Sequence, residues 1–88
     1  MSTVTVKLPA TLLALFPGAE PALIVDAGTV RDVVVALDVR WPGMRDRLCD
    51  SRPALRRNIN IFVDGKRASL ETELVGAAKV EVILAILG

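Results

Sequence analysis

Two stretches at opposite ends of the chain carry the same pattern. They are "TVTVKL" (Thr3 to Leu8) and "KVEVIL" (Lys79 to Leu84). Val4, Val6 and Leu8 alternate with Thr3, Thr5 and Lys7. Val80, Val82 and Leu84 alternate with Lys79, Glu81 and Ile83. A period of two predicts a strand with one buried face. The pattern recurs at Ala22 to Asp26, with Leu23 and Val25 inward and Ile24 outward, and at Asn58 to Asp64, with Ile59, Ile61 and Val63 inward and Phe62 outward. Each strand thus offers one apolar face, and another element must cover it.

One stretch has the length and spacing to do so. Val30, Val33, Val34, Leu37 and Trp41 recur at helical intervals. Val33 to Val35 would also suit a strand, but a stripe over twelve residues and a start signal favour helix. Thr29 is the expected N-cap, with Asp32 three residues on in the manner of a capping box and also placed to complement the helix dipole. Pro42-Gly43 ends the helix. Between the first two strands, "ATLLALFPGAEP" reads as a loop packed over a core edge through Leu12, Leu13 and Phe16. A helical turn is expected near Met44 to Leu48, then an irregular loop through Pro53. Asp64-Gly65 is a turn signal leading to a short strand at Lys66 to Ala68. Leu70 to Ala78 crosses back, with room for a 3₁₀ turn.

The expected order is strand, strand, helix, strand, short strand, strand. The first and last strands, each strongly apolar on one face, are expected side by side and parallel in the sheet centre. This predicts an α+β fold of the ubiquitin-like β-grasp kind: a mixed sheet of four to five strands packed on one main helix, as a single domain over residues 1–88.

Composition narrows the chemistry. The chain lacks His and Tyr, and Cys49 is its sole cysteine. That excludes an intrachain disulfide, a CxxC metal site and any cysteine–histidine or serine–histidine nucleophile pair. Acidic residues show no HExxH or EF-hand spacing, so no metal site is expected. The net charge of +1 favours neither nucleic acid nor a membrane surface. The longest apolar run, Val82 to Leu87, is far shorter than the ~18 residues a membrane span needs. No N-terminal stretch has the build of a signal peptide, and the chain reads as cytoplasmic. Arg45, Arg47, Arg52, Arg56 and Arg57 stand against Asp46 and Asp50 in the one basic stretch. It lacks the interleaved aromatics of a nucleic-acid surface and reads as a solvated loop, or as a docking surface for an acidic partner. Cys49 reads as an inert thiol and Trp41 as a cap on the core. Catalysis by this chain alone is not expected.

Three features carry a resemblance: "GTVRDVVVALDVRWPGMRDRL" (Gly28 to Leu48), "NINIFVDG" (Asn58 to Gly65), and a last strand that feeds the apolar tail "AILG". In order and spacing, over nearly the whole chain, they resemble the ubiquitin-like sulfur carriers. These include the small subunit of molybdopterin synthase, the thiamine-pathway carrier and, most similar, the carrier of a cysteine-biosynthesis route. The resemblance implies that the carboxylate of Gly88 is adenylated by an activating enzyme, a ubiquitin-activating-enzyme-like adenylyltransferase and sulfurtransferase. Sulfide or a persulfide then leaves a C-terminal thiocarboxylate, whose sulfur passes to a sulfur-accepting synthase. The chain itself would hold no cofactor, the ATP being used by the partner.

The family pattern ends in two glycines, whereas here Leu87 precedes Gly88. Three readings follow: a chain one residue short, a carrier that accepts a leucine neighbour, or a ubiquitin-like binding module without an activated end. A non-catalytic small subunit of a molybdopterin-synthase-like complex is a related alternative. Ala85, Ile86 and Leu87 are expected to contact a partner, either as a tail or as an extension of the strand. Ile24, Phe62 and Ile83, outward by alternation, form a docking patch in one reading and are buried by a register slip in the other.

Overall fold

The structure is a computed structural model, and it describes residues 2–51 and 54–84. Five strands form one mixed sheet: β1 (Ser2–Lys7), β2 (Ala22–Ala27), β3 (Ile59–Val63), β4 (Lys66–Ala68) and β5 (Lys79–Leu84), in the order β2-β1-β5-β3-β4. β1 and β5 run parallel at the centre, with Val6 beside Val80. β2 pairs antiparallel with β1, and β3 pairs antiparallel with both β4 and β5. This is the ubiquitin-like β-grasp arrangement predicted from the strand pattern.

Alternation decides which residues are buried. Val4, Val6, Leu23, Val25, Ile59, Ile61, Val80 and Val82 all lie on the covered face. The main helix, α2 (Val30–Arg40), lays Val30, Val33, Val34 and Leu37 against that face. Its start is a full capping box. The Thr29 hydroxyl accepts from the Asp32 amide, and the Asp32 carboxylate accepts from the amides of Gly28 and Thr29 at 3.0 and 3.1 Å. Trp41 is the C-cap rather than a helical residue, half-buried against the core.

The segment from Leu70 to Ala78 crosses the start of α2. Val30 and Arg31 donate their amides to the carbonyls of Thr72 and Leu70, and Leu74 donates to Gly28. The crossing therefore satisfies donors that a helix N-terminus leaves open. It does so through turns and a bridge between Thr29 and Glu73. The segment also closes the single turn expected there: the Thr72 amide donates to the Ser69 carbonyl at 3.2 Å, and the Ser69 amide donates to the Thr72 hydroxyl at 2.9 Å.

One expectation is corrected. The segment read as a loop contains a short helix, α1 (Ala10–Leu15), with Leu12 buried and Phe16 as its C-cap. Six residues are too few for a periodic stripe to announce a helix. α1 is held instead by Leu12 in the core, and by Pro9, whose carbonyl accepts from Leu12 and Leu13. A third helix, α3 (Met44–Leu48), forms where a helical turn was expected and buries Met44 and Leu48. Asp38 at the end of α2 caps the bend between them, accepting from the amides of Gly43 and Arg45.

The β3–β4 turn has positive φ at both Asp64 and Gly65, as a two-residue hairpin of this hand requires. Asp64 also closes the β3–β5 pairing. Its amide donates to the Lys79 carbonyl, and its carboxylate accepts from the Lys79 amide.

Candidate functional site

The candidate site is the exit of β5. The residues expected to react or bind there, Ala85, Ile86, Leu87 and Gly88, lie outside the described residues. What the structure defines is the platform that presents them. β5 is bonded on both sides. Toward β1 the register ends at Lys7 beside Glu81, while toward β3 it continues to Ile59 beside Leu84. Leu84 therefore has one partner strand, and its pairing with Ile59 fixes its place in the sheet.

At that point the described residues line a cleft of about 850 Å³. Leu84 forms part of its wall. Leu12, Leu15 and Phe16 of the α1 region supply further apolar surface, and Leu15 is 50% exposed. Arg47, Asp46 and Arg56 bring charge, and Asn58 stands at the entry to β3. The Arg56 guanidinium donates from Nε to the Asp46 carbonyl at 2.7 Å. Arg47 forms no ion pair among the described residues. The sequence placed Leu12, Leu13 and Phe16 over a core edge, but it did not mark this cleft. Its walls come from segments far apart in sequence, and only the exposed leucine of "TLLALF" hints at it.

The outward sheet face carries the three apolar residues singled out by alternation. Ile24 is 63% and Ile83 42% exposed, and Phe62 is half-buried. Phe62 pairs with Glu81 and Asn60 with Ile83, which makes Phe62 and Ile83 diagonal neighbours beside the exit of β5. Ile24 does not join them. It lies on edge strand β2, opposite Thr5. Three strand intervals, about 14 Å, separate it from the strand of Phe62. The expected three-residue patch is thus a pair plus a separate residue, because strand order places β1 between Ile24 and Ile83, and both β1 and β5 between Ile24 and Phe62.

The remaining candidates sit apart from the exit. Cys49 is buried, 5% exposed, and bridges to Leu55. Burial pushes its thiol above the usual range, against the pull of Arg45 and Arg31. A thiol so held is protonated at neutral pH and is a poor nucleophile. Arg31 is paired with Glu71 on the surface. Among the described residues no cluster of acidic or sulfur ligands could hold a metal ion. Among them too, no helix is long and apolar enough to cross a membrane.

The sequence matches no family profile and no curated protein. Solved structures do match. A chain of the Amycolatopsis orientalis BexX/CysO complex is 27% identical, with a TM-score of 0.83 over 97% of this chain and 98% of that one. CysO of Mycobacterium tuberculosis is 26% identical, with a TM-score of 0.81 over 94% and 99%. The small archaeal modifier protein 1 of Methanosarcina acetivorans is 26% identical, with a TM-score of 0.82 over 100% and 97%. These structures fall among the ubiquitin-like β-grasp sulfur carriers that the sequence resembles.

Proposed function

We propose that this chain is a sulfur carrier, a protein co-substrate whose reactive group is the carboxylate of Gly88. The observation that carries the reading is the place of β5. A strand bonded on both sides of a rigid sheet ends at Leu84, beside a groove and an outward apolar pair. The four residues that follow would span about 14 Å when extended, enough to enter a partner's active-site channel. A glycine carboxylate is chemically ordinary. Its use lies in being delivered at the end of a tether that a folded domain positions.

In this reading a partner activating enzyme binds ATP, and the Gly88 carboxylate attacks the α-phosphorus. Pyrophosphate leaves and an acyl-adenylate forms. Sulfide then displaces AMP, so that a carbon–sulfur bond replaces the carbon–oxygen bond to phosphate, and the C-terminus becomes a thiocarboxylate. A synthase takes the sulfur. This chain contributes no acid, base or cofactor to these steps; it contributes reach and recognition. Phe62 and Ile83 would dock the partner beside the exit, and Ala85, Ile86 and Leu87 would line its channel, while Ile24 could contact only a partner that reaches across to the sheet edge. The solved BexX/CysO complex supports the view that a chain of this fold works while bound to a second protein. All of this chemistry belongs in the cytoplasm.

The test is ATP–pyrophosphate exchange with the cognate activating enzyme, with intact mass to detect sulfur in place of oxygen. Three chains are compared: native, Gly88 deleted, and one glycine appended. Deletion moves the carboxylate back by about 3.5 Å and leaves leucine at the end. The native chain should exchange, the deletion should not, and the appended glycine should preserve or improve exchange, with the melting temperature nearly unchanged throughout. Equal exchange by all three chains would overturn the reading. So would a failure of the native chain where a double-glycine relative succeeds.

A further inference from the structure

We propose that the free edge of β2 pairs with the same edge of a second copy of this chain, antiparallel and centred on Ile24. The backbone decides which groups are available. The Leu8 amide donates to the Pro21 carbonyl at 2.9 Å, and these two residues continue the register that sets Val6 beside Leu23 and Val4 beside Val25. Bonded and non-bonded pairs alternate along an antiparallel ladder, so Leu23, Val25 and Ala27 turn their amides and carbonyls toward β1. On β1 the Thr5 amide points the other way, to the Ala78 carbonyl at 3.0 Å, in agreement with that phase. Ala22, Ile24 and Asp26 therefore turn their amides and carbonyls outward. Among the described residues β1 is the only strand beside β2, so these groups have no strand partner.

The two edges of the sheet differ in protection. β4 closes its side with three residues, of which Lys66 and Arg67 are cationic. A short, charged edge discourages a further strand. β2 is six residues long, ALIVDA, and has no Lys, Arg or Pro. Its one charge is Asp26, whose carboxylate accepts from the Thr3 hydroxyl at 2.9 Å. A second copy suits this edge because the edge complements itself. Setting Ile24 opposite the second copy's Ile24 places Ala22 opposite Asp26 on either side of a two-fold axis, and every outward amide then meets an outward carbonyl. The Ile24 side chain, 63% exposed in the single chain, meets its own copy on the uncovered face. The two Asp26 residues stand about 14 Å apart along the strands, so no like charges face each other. β1 separates this edge from β5, so Phe62, Ile83 and the exit of β5 stay open. An interface this small makes a weak, concentration-dependent dimer.

The proposal does not depend on the role of Gly88, and its test uses the full chain with no activating enzyme. Sedimentation equilibrium up to about 1 mM should show the mass rising from monomer toward dimer. With rising concentration, amide exchange should slow at Ala22, Ile24 and Asp26 but not at Leu23 and Val25, whose amides β1 already holds. Ile24→Lys sets like charges across the axis at an exposed position. It should weaken the dimer at least about tenfold, with the melting temperature of the dilute chain nearly unchanged. Ala22→Lys sets a cation opposite the second copy's Asp26, twice by symmetry. It should tighten the dimer about 2- to 30-fold at low salt, and adding Asp26→Asn should remove the gain. A native chain that stays monomeric throughout would overturn the proposal, even if the edge captured an extended segment of another protein. So would a dimer indifferent to both lysine variants, or one whose slowed amides lie around Phe62 and Ile83 instead of on β2.

Discussion

Val6 and Val80, from opposite ends of the chain, stand side by side as parallel partners at the centre of the sheet, and both are fully buried. Val80 also pairs with Val63 on its other side. β1 and β5, far apart in sequence, are thus joined inside the core, and removing β5 would open it.

Val6→Ala and Val80→Ala should each lower stability by about 1.5–3 kcal/mol, from lost burial and a residual cavity. Because the two residues touch, their double variant should depart from additivity by about 0.5 kcal/mol or more. Urea unfolding of the four chains measures this. Strict additivity would mean that the two strands are not neighbours.

Leu37→Ala should cost about 2–4 kcal/mol. Leu37 is fully buried in the middle of α2, and the covered face of the sheet packs against that helix. A loss under about 1 kcal/mol would show that α2 presents a different face.

Asp32→Ala removes the acceptor for two amides, those of Gly28 and Thr29. It should cost about 1 kcal/mol, as loss of a cap does. The crossing segment bonds to the same turn of the helix. Amide exchange of Val30 and Arg31 should therefore quicken with the loss of the cap, while that of Val80 changes only with global stability.

Cys49 gives a pH dependence. Its thiol is raised by burial, so the folded chain holds the proton more tightly than the unfolded one. The resulting stability is fully present below the unfolded thiol's ~8.5. It is lost as pH rises through the higher folded value, because there the folded state binds more protons than the unfolded state. Denaturant midpoints across pH 7 to 10 should fall more steeply for the native chain than for Cys49→Ala. Equal slopes would show that the thiol is not held back by burial.

Much of this molecule was legible from local pattern. Alternation named the buried residues of four strands, from Val4 and Val6 to Val80 and Val82, because side chains on a strand must point to opposite faces. The Thr29–Asp32 cap and the Asp64-Gly65 turn could likewise be read, since each depends on residues within a few positions of one another. α1 escaped because its six residues repeat nothing; it is a helix because Leu12 reaches the core.

What only the tertiary structure decided is which segments meet. Alternation placed Ile24 on the same face as Phe62 and Ile83, but a face is not a distance, and strand order put one strand between Ile24 and Ile83 and two between Ile24 and Phe62. The cleft was likewise invisible. Leu15, Arg47 and Leu84 come from α1, α3 and β5, and no local period links positions so far apart. Burial is a property each residue announces through its neighbours in sequence. A site is made by residues that become neighbours only after the chain has packed.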